Sequence, residues 1–506
     1  MCRGPSMNAG LMTLPALRSA ALAALFLCAS AASAAPKAAD PKAKETPKKN
    51  VVALVVPFSV DADDGVWTGF AAAEVITDLY AQDDVGSWIS SKQLDSALRR
   101  KDLQVYDASD IEVALPLAKS LGATDLVLGQ AVRAEGKLRI QAERYNVVTK
   151  EMTRQETVTG TDAELPALAA QLAQKLLDVS PKLAPMTTNA KALQEAANGW
   201  LDLVRYPLQP RAGNVPPLDK ADAIAAHFQA ALQADPAFGW AHAGSAILKA
   251  LKGETGPARA EAKSAQRKGH FDAWLAIADS FAARRAGDAG GSHGALEAAL
   301  KARPGFLMAA SYLAEEKMEA EDYKGAAAAW DRVLKRAPRH PYALGQKAKA
   351  LGYLHQDRDA LALTRQALDI DPGDPELLIE LASRMIDAQQ NQEAEATLRQ
   401  AMEARPPRPL AWLRLGYLYI KENRMQDAHD TLIESLTYAY RDDEARTRGL
   451  VFQDLAIVAG AQGNYTEAVQ YLQQAKSEGA KKLPCAVPEL KSFHGKAEFD
   501  AVCSAK

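Results

Sequence analysis

Five prolines keep a fixed interval through the second half of this 506-residue chain: Pro236, Pro304, Pro338, Pro372 and Pro406. The first step is 68 residues, two periods, and the next three are 34 each. Four residues before each proline stands Leu232, Leu300, Leu334, Leu368 or Met402, and five before it a small or β-branched residue such as Ala231 or Val333. The skipped frame, ending at His270, keeps Ala258, Ala262 and Ala265. A period of this length identifies a unit of two antiparallel helices that cannot bury its own apolar stripe. Neighbouring units must stack, and stability comes from their interfaces. The proline stops each second helix at low cost, because its missing amide hydrogen falls past the last helical turn. Ala326, Ala360, Ala394, Ala428 and Ala468 recur at one position of the unit, where facing backbones need room. Aromatic residues make up only 6% of the chain and alanine is abundant, which favours close-packed helices over a β-sandwich.

The run from Ala411 through Trp412, Gly416 and Tyr419, followed by Ala428, resembles the tetratricopeptide repeat, as does the run Leu455, Ala456, Gly463, Tyr465, Ala468 and Ala475. Seven frames are clear, and an earlier one has its helices separated by Pro207, Pro210, Pro216 and Pro217. The resemblance implies an all-α solenoid over 187–480, with a concave groove lined by first helices that takes extended peptides or partner helices. In the proline frame the second position of successive units carries Trp240, Trp274, Met308 and Tyr342, and the ladder stops at Glu376. The fifth and ninth positions add Ile277, Phe281, Leu413 and Tyr417. Large aromatics at the centre of a groove are the usual anchors of an interface, so these eight are the candidate partner-binding residues. A slip of two residues in the frame would instead pack Trp240 and Trp274 between helices. Trp330 and Trp412 occupy packing positions.

Upstream, strand and helix patterns alternate over 51–180. Strands are expected at 51–59, 85–90, 126–133, 138–146 and 151–158, and helices at 65–80, through Leu94 and Leu98, from 109 to 121, and at 165–177. Ser109 and Glu112 have the spacing of a capping box. Three segments, Val-Val-Ala-Leu-Val-Val-Pro-Phe at 51–58, the stretch 118–132 and the stretch 139–150, resemble the TolB-type amino-terminal domain. That resemblance implies an α/β domain for protein contacts in the bacterial cell envelope. The acidic loop Asp61 to Gly65 is too short for an EF-hand and reads as a helix start favoured by negative charge.

The first 34 residues read as an export address. Arg3 and Arg18 precede an apolar run from 19 to 28, and Ala32-Ser33-Ala34 fits a small-residue cleavage site. Residues 35–50, rich in Lys, Pro and Ala, read as an extended tether. Beyond the leader no segment reaches transmembrane length. Cys2 and Cys28 would leave with the leader, and Cys485 and Cys503 then read as one disulfide in an oxidising compartment. Residues 481–506, with Leu490, Phe493 and Phe499, are expected to form a short cap on the end of the repeats.

Charge and motif content narrow the function. Sixty Lys and Arg against 63 Asp and Glu give a net charge of −3, which excludes a nucleic-acid binder working by bulk basicity. All eight histidines lie at or beyond His227, so residues 51–180 hold neither a His-based triad nor a His-ligated zinc. The string Gly290-Gly-Ser-His-Gly294 has nucleophile-elbow spacing, with Ser292 in the nucleophile's place, but no strand precedes it, so it reads as a turn joining two helices. The expectation is a non-enzymatic periplasmic scaffold, without cofactor or metal, that binds protein or peptide partners of the cell envelope, with peripheral membrane or wall association left open. The alternative is an outer-membrane lipoprotein, attached through Cys28, that helps to assemble a trans-envelope machine. A third reading, an accessory subunit of a wall hydrolase, would need its activity supplied by a partner.

Overall fold

The apolar run after Val51 becomes a central strand because it is buried on both faces. In the structure, a computed structural model, β1 (Val52–Val55) lies between the parallel strands β3 (Ser87–Trp88) and β4 (Asp125–Ala134), and every β1 residue is buried. Residues 51–61, 65–81, 86–178, 186–205, 220–265, 272–404, 407–438, 445–480 and 482–504 are described. The leader, the tether, residues 62–64 of the acidic loop, His270, Pro406 and the four prolines between 207 and 217 lie outside them.

Strand β4 continues antiparallel into β5 (Lys137–Asn146) and β6 (Met152–Gly160), giving the order β3-β1-β4-β5-β6, and the short β2 (Ser59–Val60) also pairs with β4. Four helices accompany the sheet: α1 (Val66–Ala81), α2 (Ser91–Arg100), α3 (Ile111–Ser120) and α4 (Leu165–Leu177). Helix α3 starts one residue later than the capping-box spacing implies. Its N-cap is Asp110, whose carboxylate accepts from the Glu112 amide at 3.0 Å, and Pro116 sits inside it. Helix α1 is buried from Trp67 to Ala81, polar residues included. A helix buried all round must be covered on opposite sides. One side meets the sheet and α4, and the other meets the repeats.

The repeats are eight helix pairs among the described residues. They begin with α5 (Ala190–Leu203) and α6 (Ala221–Ala234), then α7 (Gly239–Leu251) and α8 (Thr255–Ala265), then α9 (Asp272–Arg285) and α10 (Ala289–Ala302). The fourth and fifth are α11 (Leu307–Glu319) with α12 (Tyr323–Arg336) and α13 (Pro341–Tyr353) with α14 (Asp357–Ile370). The last three are α15 (Pro375–Asp387) with α16 (Asn391–Met402), α17 (Pro409–Lys421) with α18 (Met425–Ser435), and α19 (Ala445–Ala461) with α20 (Tyr465–Ser477).

Each element of the 34-residue pattern has a structural counterpart. Pro236, Pro304, Pro338 and Pro372 are each the second residue past a second helix. The recurring alanines, Ala258 to Ala468, are the fourth residue of each second helix and are fully buried. A second periodic feature carries no obvious residue signature. The turn inside each unit has a left-handed residue at Gly253, Gly287, Glu321, His355, Gln389 and Asn423, with φ between 57° and 84°. Glycine is the natural choice there, and four of the six turns use a larger residue.

In the third repeat Ser292 takes the alanine's place, and this corrects the reading of Gly290–Gly294 as a turn. The segment is the first part of helix α10, capped by the Asp288 carboxylate, which accepts from the Gly291 amide at 2.8 Å. Ser292 is 1% exposed, lies 2.8 Å from the Ser280 hydroxyl and bonds Glu316. It packs two helices together.

The chain closes with a 3-10 turn (Pro488–Phe493) and α21 (Ala497–Ser504), joined by the Cys485–Cys503 disulfide. Leu490, Phe493 and Phe499 pack on Ala456, Ala459, Val469 and Leu472 of the last repeat, so the end of the stack is covered by apolar contact.

Candidate functional site

The first helices of the repeats present one continuous face, and the candidate ladder falls on it. The structure brings Trp240, Trp274 and Met308 together along α7, α9 and α11, but it buries them: Trp240 is 1% exposed and Met308 2%. What covers them is the chain's own α/β segment. Phe70 of α1 stacks on Trp240 with ring centroids 6.0 Å apart, and Trp88 of β3 stacks on Phe306 at 5.2 Å and 6°. Trp88 and Phe306 also form a parallel backbone bridge, so the sheet edge touches the entry of α11. The Ser90 hydroxyl lies 3.5 Å from the Met308 sulfur.

Behind this contact the rings form a chain. Trp200 stacks on Trp240 at 5.8 Å and meets Trp274 edge-on at 5.1 Å, and Trp274 meets Phe306 at 5.5 Å. The Trp200 indole donates to the Trp240 carbonyl at 3.0 Å. Both readings of Trp240 and Trp274 therefore contain part of the answer. They stand on the face of the first helices, and they are core, because a domain of the same chain fills that face.

The rest of the ladder divides in the same way. Ile277 is fully buried, Phe281 packs against the Tyr312 ring at 5.5 Å, and Leu413 is buried in the core of the later repeats. Tyr342 is half-buried, and its hydroxyl donates to Glu315 at 2.9 Å. Glu376, where the ladder stops, pairs with the buried Arg408. As an accessible groove, then, the set corrects to one residue: Tyr417, on α17, is 41% exposed.

The close fit of the α/β segment extends to backbone. Gly122 follows α3 with φ +74°, and a Cβ there would lie 2.5 Å from the His340 Cα. Only glycine allows both the left-handed turn and this approach. Lys101 pairs with Asp371 at 3.7 Å across the same seam. Burial of the seam shows in its ionisable groups. Loss of hydration pushes the Glu74 carboxyl on α1 up to about 7, opposed by a hydrogen bond from Ser91 and reinforced by Asp78.

Beyond the fifth repeat the α/β segment no longer covers the first helices. Leu450 of α19, in the second position of its unit, is 41% exposed, like Tyr417 on the preceding first helix. Sequence reasoning missed Leu450 because the step into the last unit departs from 34 residues. The signal was Ala468, from which the frame can be counted back. Near this open stretch burial pushes the Asp454 carboxyl up to about 7, and Arg414 pulls the other way.

Residues 385–451 match the tetratricopeptide repeat family. No curated protein matches the chain. Among solved structures, a tetratricopeptide repeat protein from Parabacteroides merdae is 15% identical, with a TM-score of 0.41 over 52% of this chain and 98% of its own. The pilF protein of Pseudomonas aeruginosa is 17% identical, with a TM-score of 0.34 over 46% and 97%, and MamA from Desulfovibrio magneticus is 18% identical, with 0.29 over 33% and 93%. No helix among the described residues is long and apolar enough to cross a membrane. With the family match at 385–451 and the paired helices around it, the chain carries tetratricopeptide repeats.

Proposed function

We propose that this chain is a non-enzymatic scaffold of the bacterial periplasm that binds a protein partner on the open stretch of its first-helix face, around Tyr417 and Leu450. Tetratricopeptide repeats mediate protein–protein interactions, and the match to that family covers this stretch. The observation that carries the reading is the division of the face: the first five repeats are filled by the α/β segment, whereas Tyr417 and Leu450 keep large apolar surface exposed on neighbouring first helices. The α/β segment is, in this reading, a TolB-type domain whose place is to cover one end of the array. The segments that carry the TolB resemblance fall on β1, β4 and β5, the middle of the sheet.

The test is affinity capture from envelope extracts with three proteins: wild type, Tyr417→Ala/Leu450→Ala, and Ile433→Ala. Ile433, on the second helix α18, is 37% exposed and serves as a surface control. The proposal requires that the double variant lose a partner that the control keeps. Equal capture by all three sinks it. Location is read separately by mass spectrometry of the mature amino terminus, where free Ala35 supports periplasmic release and acylated Cys28 supports the lipoprotein alternative.

A further inference from the structure

Where the α/β segment meets the fourth and fifth repeats the surfaces leave a cavity of about 160 Å³, between α2, the end of α3, α11 and the start of α13. By the volume of liquid water it has room for roughly five water molecules, or for an organic ligand of that size.

Its polar groups are unevenly satisfied. Lys92 donates to the Val204 carbonyl at 2.6 Å and lies 3.5 Å from Asp95, while burial pushes its ammonium down to about 8. Glu315 accepts from Tyr342. Three other lining groups are unspent. Arg100 makes no hydrogen bond or ion pair among the described residues, and the groups that feel its charge are His340, Tyr342 and Asp374. Ser311, 7% exposed, makes no side-chain hydrogen bond among the described residues. His340 is 3% exposed, and neither of its ring nitrogens has a partner. A buried imidazole without a partner is costly, and native structures usually satisfy such a group. The opposite walls, Leu121 and Met308, are apolar.

From this arrangement we infer that the cavity is a binding site for a small organic carboxylate, whose charge is received by Arg100, His340 and Ser311 and whose apolar body lies against Leu121 and Met308. A guanidinium offers two parallel N–H donors that match a carboxylate's two oxygens. A neutral imidazole adds one donor, and a serine hydroxyl another. A bare inorganic anion would satisfy the donors and leave the apolar wall uncovered. The ligand would touch both the α/β segment and the repeats, so its binding would tie them together and raise the stability of the seam by mass action. This inference is independent of the partner surface near Tyr417.

The experiment is calorimetric titration of the mature chain with acetate, butyrate and benzoate, with benzamide and inorganic phosphate as comparisons and the unfolding midpoint as a second readout. Butyrate or benzoate should bind and raise the midpoint, and acetate and phosphate should bind more weakly. Benzamide, with the same ring and no charge, should not bind. Arg100→Gln should weaken the carboxylate about tenfold or more, the factor expected for loss of a charge-assisted pair. Arg100→Lys should fall between the two. Neither variant should move the unliganded midpoint much, because Arg100 holds nothing in the fold. No binding by any of the three acids, equal binding of benzamide, tighter binding of phosphate, or binding that survives Arg100→Gln would each overturn the assignment.

Discussion

Replacing Trp240 with alanine separates a groove open to outside partners from a groove filled by the chain itself. In the structure the indole is 1% exposed, between Phe70 on one side and Trp200 on the other, with Phe238 edge-on at 6.1 Å. Burying roughly 200 Å² of aromatic surface at about 25 cal/mol/Å² gives an upper bound near 5 kcal/mol. Truncations of buried Trp and Phe cost about 3–5 kcal/mol, so the expected loss is of that size. A solvent-facing Trp at the same position would cost about 0.5 kcal/mol or less. Repeat arrays need not unfold in one step, so the assay is guanidinium unfolding followed by both circular dichroism and hydrogen exchange. The loss should fall on α1 and the first five repeats and leave α15 to α20 at wild-type protection. Combined with Phe70→Ala, the effect should be non-additive by about 0.5–1.5 kcal/mol, the range for stacked rings. A loss under about 1 kcal/mol, or strict additivity with Phe70→Ala, would refute the docking of α1 on this face.

Three further outcomes are expected. Burial holds His340 near 4, with Arg100 reinforcing, so its contribution to stability grows as pH rises from about 4 to 6.5 and is lost as pH falls. Glu74 and Asp454, raised to about 7, act in the opposite sense and cost stability as pH rises from about 4.5 to 7. Glu74→Gln should therefore make stability climb more steeply with pH in that window, and His340→Gln should make it fall, as read from urea midpoints. Opening the Cys485–Cys503 bridge, which closes a sequence separation of 18, should cost about 3 kcal/mol of local stability, seen as faster exchange in α20 and α21 with the α/β segment unchanged. His355→Gly should stabilise the fifth repeat by up to about 1 kcal/mol, because φ is +57° there; a lower thermal midpoint would count against a strained turn.

Much of the fold could be read from periodicity alone. Helix α4 spans 165–177 as expected, and the prolines and small residues that mark each unit sit where the pattern puts them. These features are local, and local spacing reports them. The Cys485–Cys503 pairing followed from there being two cysteines in the mature chain. The occupant of the groove was not legible. An apolar stripe on a first helix shows that Trp240 and Met308 will be covered and says nothing of the covering surface, which comes from Phe70 and Ser90 far upstream. The Gly290–Gly294 string misled for a related reason: glycines suggest a turn, but the Asp288 cap and the burial of Ser292 hold them in a helix. The cavity is the extreme case. Arg100 and His340 belong to different folding units, and no spacing rule links them.

The central claim is that the α/β segment sits on the first-helix face and fills it in cis. Zero-length carbodiimide coupling tests this directly, since Lys101 and Asp371 pair across the seam at 3.7 Å. In the monomeric chain, mass spectrometry should find an amide joining Lys101 to Asp371. It should vanish in Gly122→Val, which drives a side chain into the His340 backbone. If Lys101 couples only to carboxylates of its own α/β segment and Asp371 stays unmodified, the face is open and the account is wrong.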